Sequence, residues 1–125
     1  VYTLRDGGRD AVGRIFRPQS PPEGYLDWLQ GELILRPRSF QANTEDIERL
    51  NGALQVQARA YPAIKVPVEI LHGDADRITG AWIHGEALAE ALPEARLDIV
   101  PGVGHMLHHA RPERVAAAVE RLARG

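Results

Sequence analysis

Two short apolar runs in the second half of the chain, Val66–Leu71 and Leu97–Val100, most constrain what it can fold into. A turn signal ends each of them, His72-Gly73 after the first and Pro101-Gly102 after the second, as buried strands require. Between them Ile83, Ala87, Leu88 and Ala91 recur at helical spacing over Ala81–Leu92, and Pro93 stops the pattern. After the second run, Pro112 suits the first turn of a last helix, with Val115, Val119 and Leu122 as its expected buried stripe. Strand, helix, strand, helix with short connections is the βαβ pattern of a parallel sheet with helices on its faces.

Parallel strands normally lie buried on both faces inside a larger sheet. Each Val, Leu or Ile left uncovered forfeits roughly 1.5–3 kcal/mol of burial. Two strands therefore read as the end of a fold. Their expected partner is the missing N-terminal part of the same protein, or else a second copy, through a homo-oligomer or an exchange of elements at the uncovered sheet. A start at Val1 rather than methionine agrees with a fragment or a processed product.

The first half has a different character. Gly7, Gly8 and the prolines Pro18, Pro21 and Pro22 read as loop punctuation. Tyr25, Leu26, Trp28 and Leu29 can form one short amphipathic helix. Asn43 or Thr44 is a plausible N-cap with Glu45 and Asp46 in the first turn. From there Ile47, Leu50, Leu54 and Ala58 recur at helical spacing to about Tyr61, before Pro62. A strand is suggested only as a stub over Glu32–Leu35. The expected division is thus a mainly helical segment over 1–60 and an α/β segment over 61–125.

Composition narrows the function classes. The chain has 125 residues, 44% hydrophobic and 26% charged, the size and balance of one soluble domain. Its formal net charge of −2, with no basic stripe, speaks against nucleic acid and anionic membrane surfaces as partners. No apolar run approaches the ~20 residues that span a bilayer, and no charged-then-apolar leader is visible. The absence of cysteine excludes disulfides and thiolate metal sites. It fits a reducing compartment, so a cytoplasmic location is expected.

In open parallel sheets, ligands bind outside the carboxyl ends of the strands. Two motifs fall there: His72-Gly73-Asp74-Ala75-Asp76 and Gly102-Val103-Gly104-His105. A carboxylate on one loop can meet an imidazole on the next, hold its tautomer, and stabilise the imidazolium formed when the other nitrogen takes a proton. Histidine suits the role of base because its unperturbed pKa of about 6.5 lies close to working pH.

The stretch from Pro67 through Leu71-His72-Gly73-Asp74-Ala75-Asp76 to Thr79, followed by Pro101-Gly102-Val103-Gly104-His105-Met106, resembles the last two strand–loop units of the α/β-hydrolase family. The resemblance implies an α/β fold in which 61–125 is the C-terminal portion, carrying the last two parallel strands and their helices. Residues 1–60 are similar to the helical cap that many members insert before these strands. It further implies Asp76 as the triad acid, with Asp74 a turn former beside Gly73, and His105 as general base. The order of acid then histidine, with the nucleophile earlier, is the family's. The implied parent is an enzyme: a serine hydrolase of carboxylic esters or related acyl bonds in small molecules, with no cofactor and no metal. Members that hydrolyse epoxides, carbon–halogen or carbon–carbon bonds, some with an aspartate nucleophile, are an alternative.

The chain departs from the family in two respects. A Gly-x-Ser-x-Gly elbow is absent, and the two serines, Ser20 and Ser39, lie beside prolines or in no such context. The oxyanion-hole loop expected earlier in the chain is absent too. The chain alone is therefore expected to be inactive. A non-catalytic pseudo-hydrolase or interaction module would also lack the elbow, although such a module gains nothing evident from keeping Asp76 and His105 in their loops.

Other residues carry weaker readings. His105, His108 and His109 invite a metal site, but no carboxylate joins them as a ligand motif. Trp28 and Tyr25, with Leu29 and Phe40, are candidates to line an apolar acyl pocket or to form plain cap core. His72 reads as a strand-end residue, and His84 as a solvated helix residue. Arg36 and Arg38 read as a solvated face, and Gly7-Gly8 is too little for a phosphate loop.

Overall fold

The computed structural model describes residues 4–30 and 36–124. The suggested strand stub Glu32–Leu35 lies outside the described residues. The elements run α1 (Leu4–Phe16), α2 (Tyr25–Trp28), α3 (Pro37–Ala58), a 3₁₀ turn (Tyr61–Ala63), β1 (Val68–Gly73), α4 (Gly85–Ala91), β2 (Ala95–Val100), α5 (Leu107–Ala110) and α6 (Pro112–Arg124).

β1 and β2 pair in parallel, from Val68 opposite Ala95 to Gly73 opposite Val100. Among the described residues they form the whole sheet. β1 begins just after Pro67, two residues later than the apolar run suggests, and leaves Val66 exposed. Helices α4 and α6 pack against the pair. Glu69 of β1 accepts two 2.8 Å hydrogen bonds from Arg121 of α6, which lower the Glu69 pKa and tie helix to strand.

The core gathers at the carboxyl end of the sheet, where Val100, Val103 and Leu107 are buried against Leu71, Ala110 and Val115. The last strand, the loop after it and the last two helices thus share one apolar cluster. That cluster anchors the stretch carrying His105.

Several sequence expectations need correction. Residues 4–16 form a helix despite Gly7 and Gly8. Val12 and Phe16, one turn apart, are buried, and a Cβ on Gly8 would meet Leu26 at 3.2 Å. Here glycine lets two segments approach instead of breaking the helix. Helix α3 starts at Pro37, two turns before the expected caps, because proline suits the first helical position. Thr44 lies inside the helix and bonds back to the Phe40 carbonyl at 2.9 Å.

The buried faces of the later helices are also rotated from the expected stripes. On α4 Gly85, Leu88, Ala89 and Ala91 turn inward, followed by Leu92, so Leu88 and Ala91 of the expected stripe are covered, while Ala87 and Ile83, just before the helix, are exposed. On α6, Val115, Ala118 and Arg121 turn inward, while Val119 and Leu122 remain 60% and 43% exposed. Periodicity marks an amphipathic helix. Which part of its apolar arc is covered depends on what lies beside it.

Candidate active site

β1 delivers the acid loop, and a short chain of backbone bonds sets its shape. The Asp74 N–H donates to the Val100 carbonyl at 3.2 Å and the Ala75 N–H to the Val103 carbonyl at 3.0 Å, so the acid loop continues the sheet onto the histidine loop. The two loops touch so closely at Gly73 that a Cβ there would collide with the Val103 carbonyl. That contact requires glycine.

Asp76 then turns its carboxylate back over the loop. Its Oδ1 accepts the N–H groups of Ile78 at 2.7 Å and Thr79 at 3.0 Å, the local turn that aspartate forms with residues just downstream. Its Oδ2 accepts the Thr79 hydroxyl at 2.8 Å and His105 Nδ1 at 2.9 Å. The side chain is only 4% exposed. Burial pushes the carboxyl pKa up, but the hydrogen bonds from His105, Thr79 and Ile78 outweigh it and hold it at about 2. Asp76 is thus ionised at neutral pH and acts only as an acceptor.

That charge state fixes the tautomer of His105. A carboxylate can only accept, so Nδ1 carries the proton and Nε2 is the ring's acceptor nitrogen. The imidazole is 34% exposed, so the free nitrogen can be reached. The structure brings Asp76 and His105 together across adjacent strand ends, the meeting expected from the two motifs.

Two residues of this network went unassigned in the sequence. Thr79 places both its N–H and its hydroxyl on the Asp76 carboxylate. His72, within β1, has Nε2 2.7 Å from the Thr79 carbonyl and 3.5 Å from Asp76 Oδ2. Because a carbonyl only accepts, His72 carries its proton on Nε2 and braces the acid loop from behind. The strand-end reading located His72, but nothing local announced the bond. Asp74 faces the other loop, where its Oδ1 accepts the Gly102 N–H at 2.6 Å.

Tyr25 and Trp28 are not drawn into this network. Tyr25 packs edge-on against Phe16 at 4.9 Å and His109 at 5.3 Å, with Trp28 tilted beside it at 5.9 Å and 76% exposed. Tyr25 also lines a cleft of about 140 Å³ with Val12, Pro21, Pro22 and Leu26, and neither Asp76 nor His105 borders it. The three imidazoles suggested as a metal set do not share a helical face. α5 begins at Leu107, His105 precedes it and turns to Asp76, and the rings of His108 and His109 lie 4.5 Å apart on each other. Among the described residues no group of three or more His, Asp or Glu side chains could hold a metal ion. Nor is any helix among them long and apolar enough to cross a membrane.

A parallel β–α–β–α unit with an acid loop and a histidine loop at adjacent strand ends defines an α/β domain. The model of the Alpha/beta hydrolase family matches residues 2–118, and the chain belongs to that family. Among solved structures, a bromoperoxidase from Bacillus anthracis is 20% identical, with a TM-score of 0.50 over 54% of this chain and 25% of that one. A candidate non-heme bromoperoxidase from Mycobacterium tuberculosis H37Rv is 32% identical, with a TM-score of 0.47 over 52% of this chain and 24% of that one. A thermophilic esterase from Thermogutta terrifontis with malate bound is 22% identical, with a TM-score of 0.48 over 94% of this chain and 50% of that one. The chain thus spans between a quarter and a half of the length of these structures. No curated protein matches it.

Proposed function

We propose that the chain supplies the acid and the base of a serine hydrolase that cleaves carboxylic esters or related acyl bonds, with the nucleophile carried outside these 125 residues. The observation that supports this reading is the 2.9 Å bond between His105 Nδ1 and a buried, ionised Asp76. In this reading residues 1–60 form the helical cap-like segment and 61–125 the end of the core. Tyr25 and Trp28 lie on the cap side, where an apolar acyl group would enter.

The chemistry follows from the protonation states. His105 Nε2 takes the proton of the serine hydroxyl as its oxygen attacks the ester carbonyl carbon. The imidazolium, stabilised by Asp76, passes that proton to the departing alkoxide, leaving an acyl-enzyme and an alcohol. Water then attacks the acyl carbon, again losing its proton to Nε2, and the returned proton releases serine and a carboxylic acid. Ser20 lies in the loop after α1 and Ser39 in the first turn of α3; neither stands in the strand-to-helix elbow that this scheme requires.

The test is turnover of an activated ester such as p-nitrophenyl butyrate. The 125-residue chain alone should show none, and the longer protein carrying the nucleophile should lose nearly all activity with His105→Ala. Turnover by the chain alone that disappears with His105→Ala would overturn the division of labour proposed here. A longer protein without ester turnover would favour a non-catalytic module. An aspartate in place of the serine would redirect the reaction to epoxide, carbon–halogen or carbon–carbon hydrolysis.

A further inference from the structure

The loop that carries His105 is held by a side chain more than eighty residues earlier. Gln19 Nε2 donates to the Gly102 carbonyl at 2.7 Å, and Gln19 Oε1 accepts the Gly104 N–H at 3.0 Å. A primary amide offers one donor edge and one acceptor edge. Here the two edges close on a carbonyl and an N–H two residues apart, the backbone pair that brackets Val103. Gly102 is claimed from the other side as well, since its N–H goes to Asp74. Gly104, the residue before His105, lies so close to the Arg17 carbonyl that no Cβ would fit.

This loop needs such support. Glycines at 102 and 104 leave its backbone free to sample many conformations in isolation. The Val103 side chain is fully buried in the core cluster and anchors the middle. It does not by itself set the rotation of the peptide joining Val103 to Gly104, one step before His105. Gln19 holds the N–H side of that plane, and the Ala75 N–H holds its carbonyl side at 3.0 Å. A small rotation there would swing His105 Nδ1 away from Asp76 Oδ2, and proton-transfer geometry tolerates little misplacement.

We propose that Gln19 is a positioning residue for His105, through which the segment after α1 sets the aim of the base. It does not touch the reacting atoms. Its consequence for catalysis rests on the hydrolase reading above, whereas the clamp itself is a property of the chain. The proposal also gives the helical segment a part in the site. Displacing residues 17–19, for example by movement of the segment against the core, would release the His105 loop.

The test uses the ¹⁵N-labelled full chain and the ring N–H resonance of His105, which reports the Nδ1–Asp76 bond directly. Gln19→Ala should broaden or abolish that resonance and speed exchange of the Gly104 amide roughly tenfold, the loss expected for one hydrogen bond. Amide protection along β1 and β2 should stay as in the unaltered chain. Gln19→Glu separates the two edges. At neutral pH it keeps an acceptor for Gly104 but sets a carboxylate against the Gly102 carbonyl, so the ring signal should be weak. Near pH 4, protonation of the new carboxyl, at about 4.3 unperturbed, restores a donor. The signal should then recover relative to the unaltered chain at the same pH, with Asp76 still ionised at its pKa of about 2. An unchanged ring signal in Gln19→Ala, or no pH-dependent recovery in Gln19→Glu, would overturn the proposal. So would loss of β1 and β2 protection in both variants, which would make Gln19 a residue of general stability. None of these readouts needs turnover, so failure of the hydrolase reading remains a separate result.

Discussion

The Asp74 and Asp76 carboxylates, two residues apart in one loop, reach the same neighbouring loop at different points. Asp74 accepts the Gly102 backbone N–H at 2.6 Å and Asp76 accepts His105 Nδ1 at 2.9 Å. One residue fastens the loop and the other holds the imidazole it carries. Their substitutions should therefore separate.

On the hydrolase reading proposed above, Asp76→Asn in a longer protein that supplies the nucleophile should slow ester turnover by roughly 10⁴, because an amide can present its N–H₂ to Nδ1 and stabilises no imidazolium. Asp74→Asn keeps an oxygen for the Gly102 N–H and should cost no more than about tenfold. Comparing kcat/KM for the two variants checks this. The opposite ranking would make Asp74 the acid.

Acid should expose the same carboxylate in the stability of the chain. The Asp76 pKa is lowered from 3.8 to about 2 in the folded state. Folding then favours the ionised form, so this stabilisation is fully present above about pH 4 and fades as pH falls through 2. The difference corresponds to on the order of 2 kcal/mol. Urea midpoints measured between pH 5 and pH 2 should fall more steeply for the unaltered chain than for Asp76→Asn. Parallel slopes would show that Asp76 is not the group responsible.

How much of this was legible in the sequence depended on the range of the interaction. Asp76 and His105 could be read because each follows a short apolar strand and a glycine turn, and parallel pairing brings the ends of consecutive strands side by side. Gln19 could not. It stands in a proline-punctuated stretch, and its partners Gly102 and Gly104 carry no side chain to advertise a bond. Helix α1 was hidden because paired glycines look like a break until Leu26 is seen packed against one of them. On α6, spacing revealed the apolar arc of Val115, Val119 and Leu122, yet only the tertiary packing decides that Val115 is covered and Val119 is not.

Gly104→Ala tests the close contact beside His105. The new Cβ would drive into the Arg17 carbonyl, which is backbone and cannot rotate away. Overpacking of this kind costs about 1–3 kcal/mol. Gly52→Ala, in α3 with open space around it, should instead stabilise by about 1 kcal/mol through helix propensity. Thermal unfolding of both variants checks the pair, and similar shifts in the two would remove the argument for a tight fit at Gly104.

The uncovered apolar surface leads to the last expectation. On α3 Phe40, Ile47 and Leu54 recur every seven residues with Leu50 between them, and all four are 42–60% exposed. Val119 and Leu122 of α6 are uncovered as well. Contiguous exposed apolar surface of this kind marks an interaction face when it is large, and a two-stranded parallel sheet normally sits inside a larger one. Isolated, the chain should associate as its concentration rises, by pairing these faces or exchanging elements between copies. Sedimentation velocity over a dilution series should show the larger species dissociating. Ile47→Glu combined with Leu54→Glu should shift the equilibrium to monomer if α3 carries the contact, and leave it unchanged if the sheet edge does. A compact monomer at every concentration would mean that these surfaces stay open to water without cost enough to drive association.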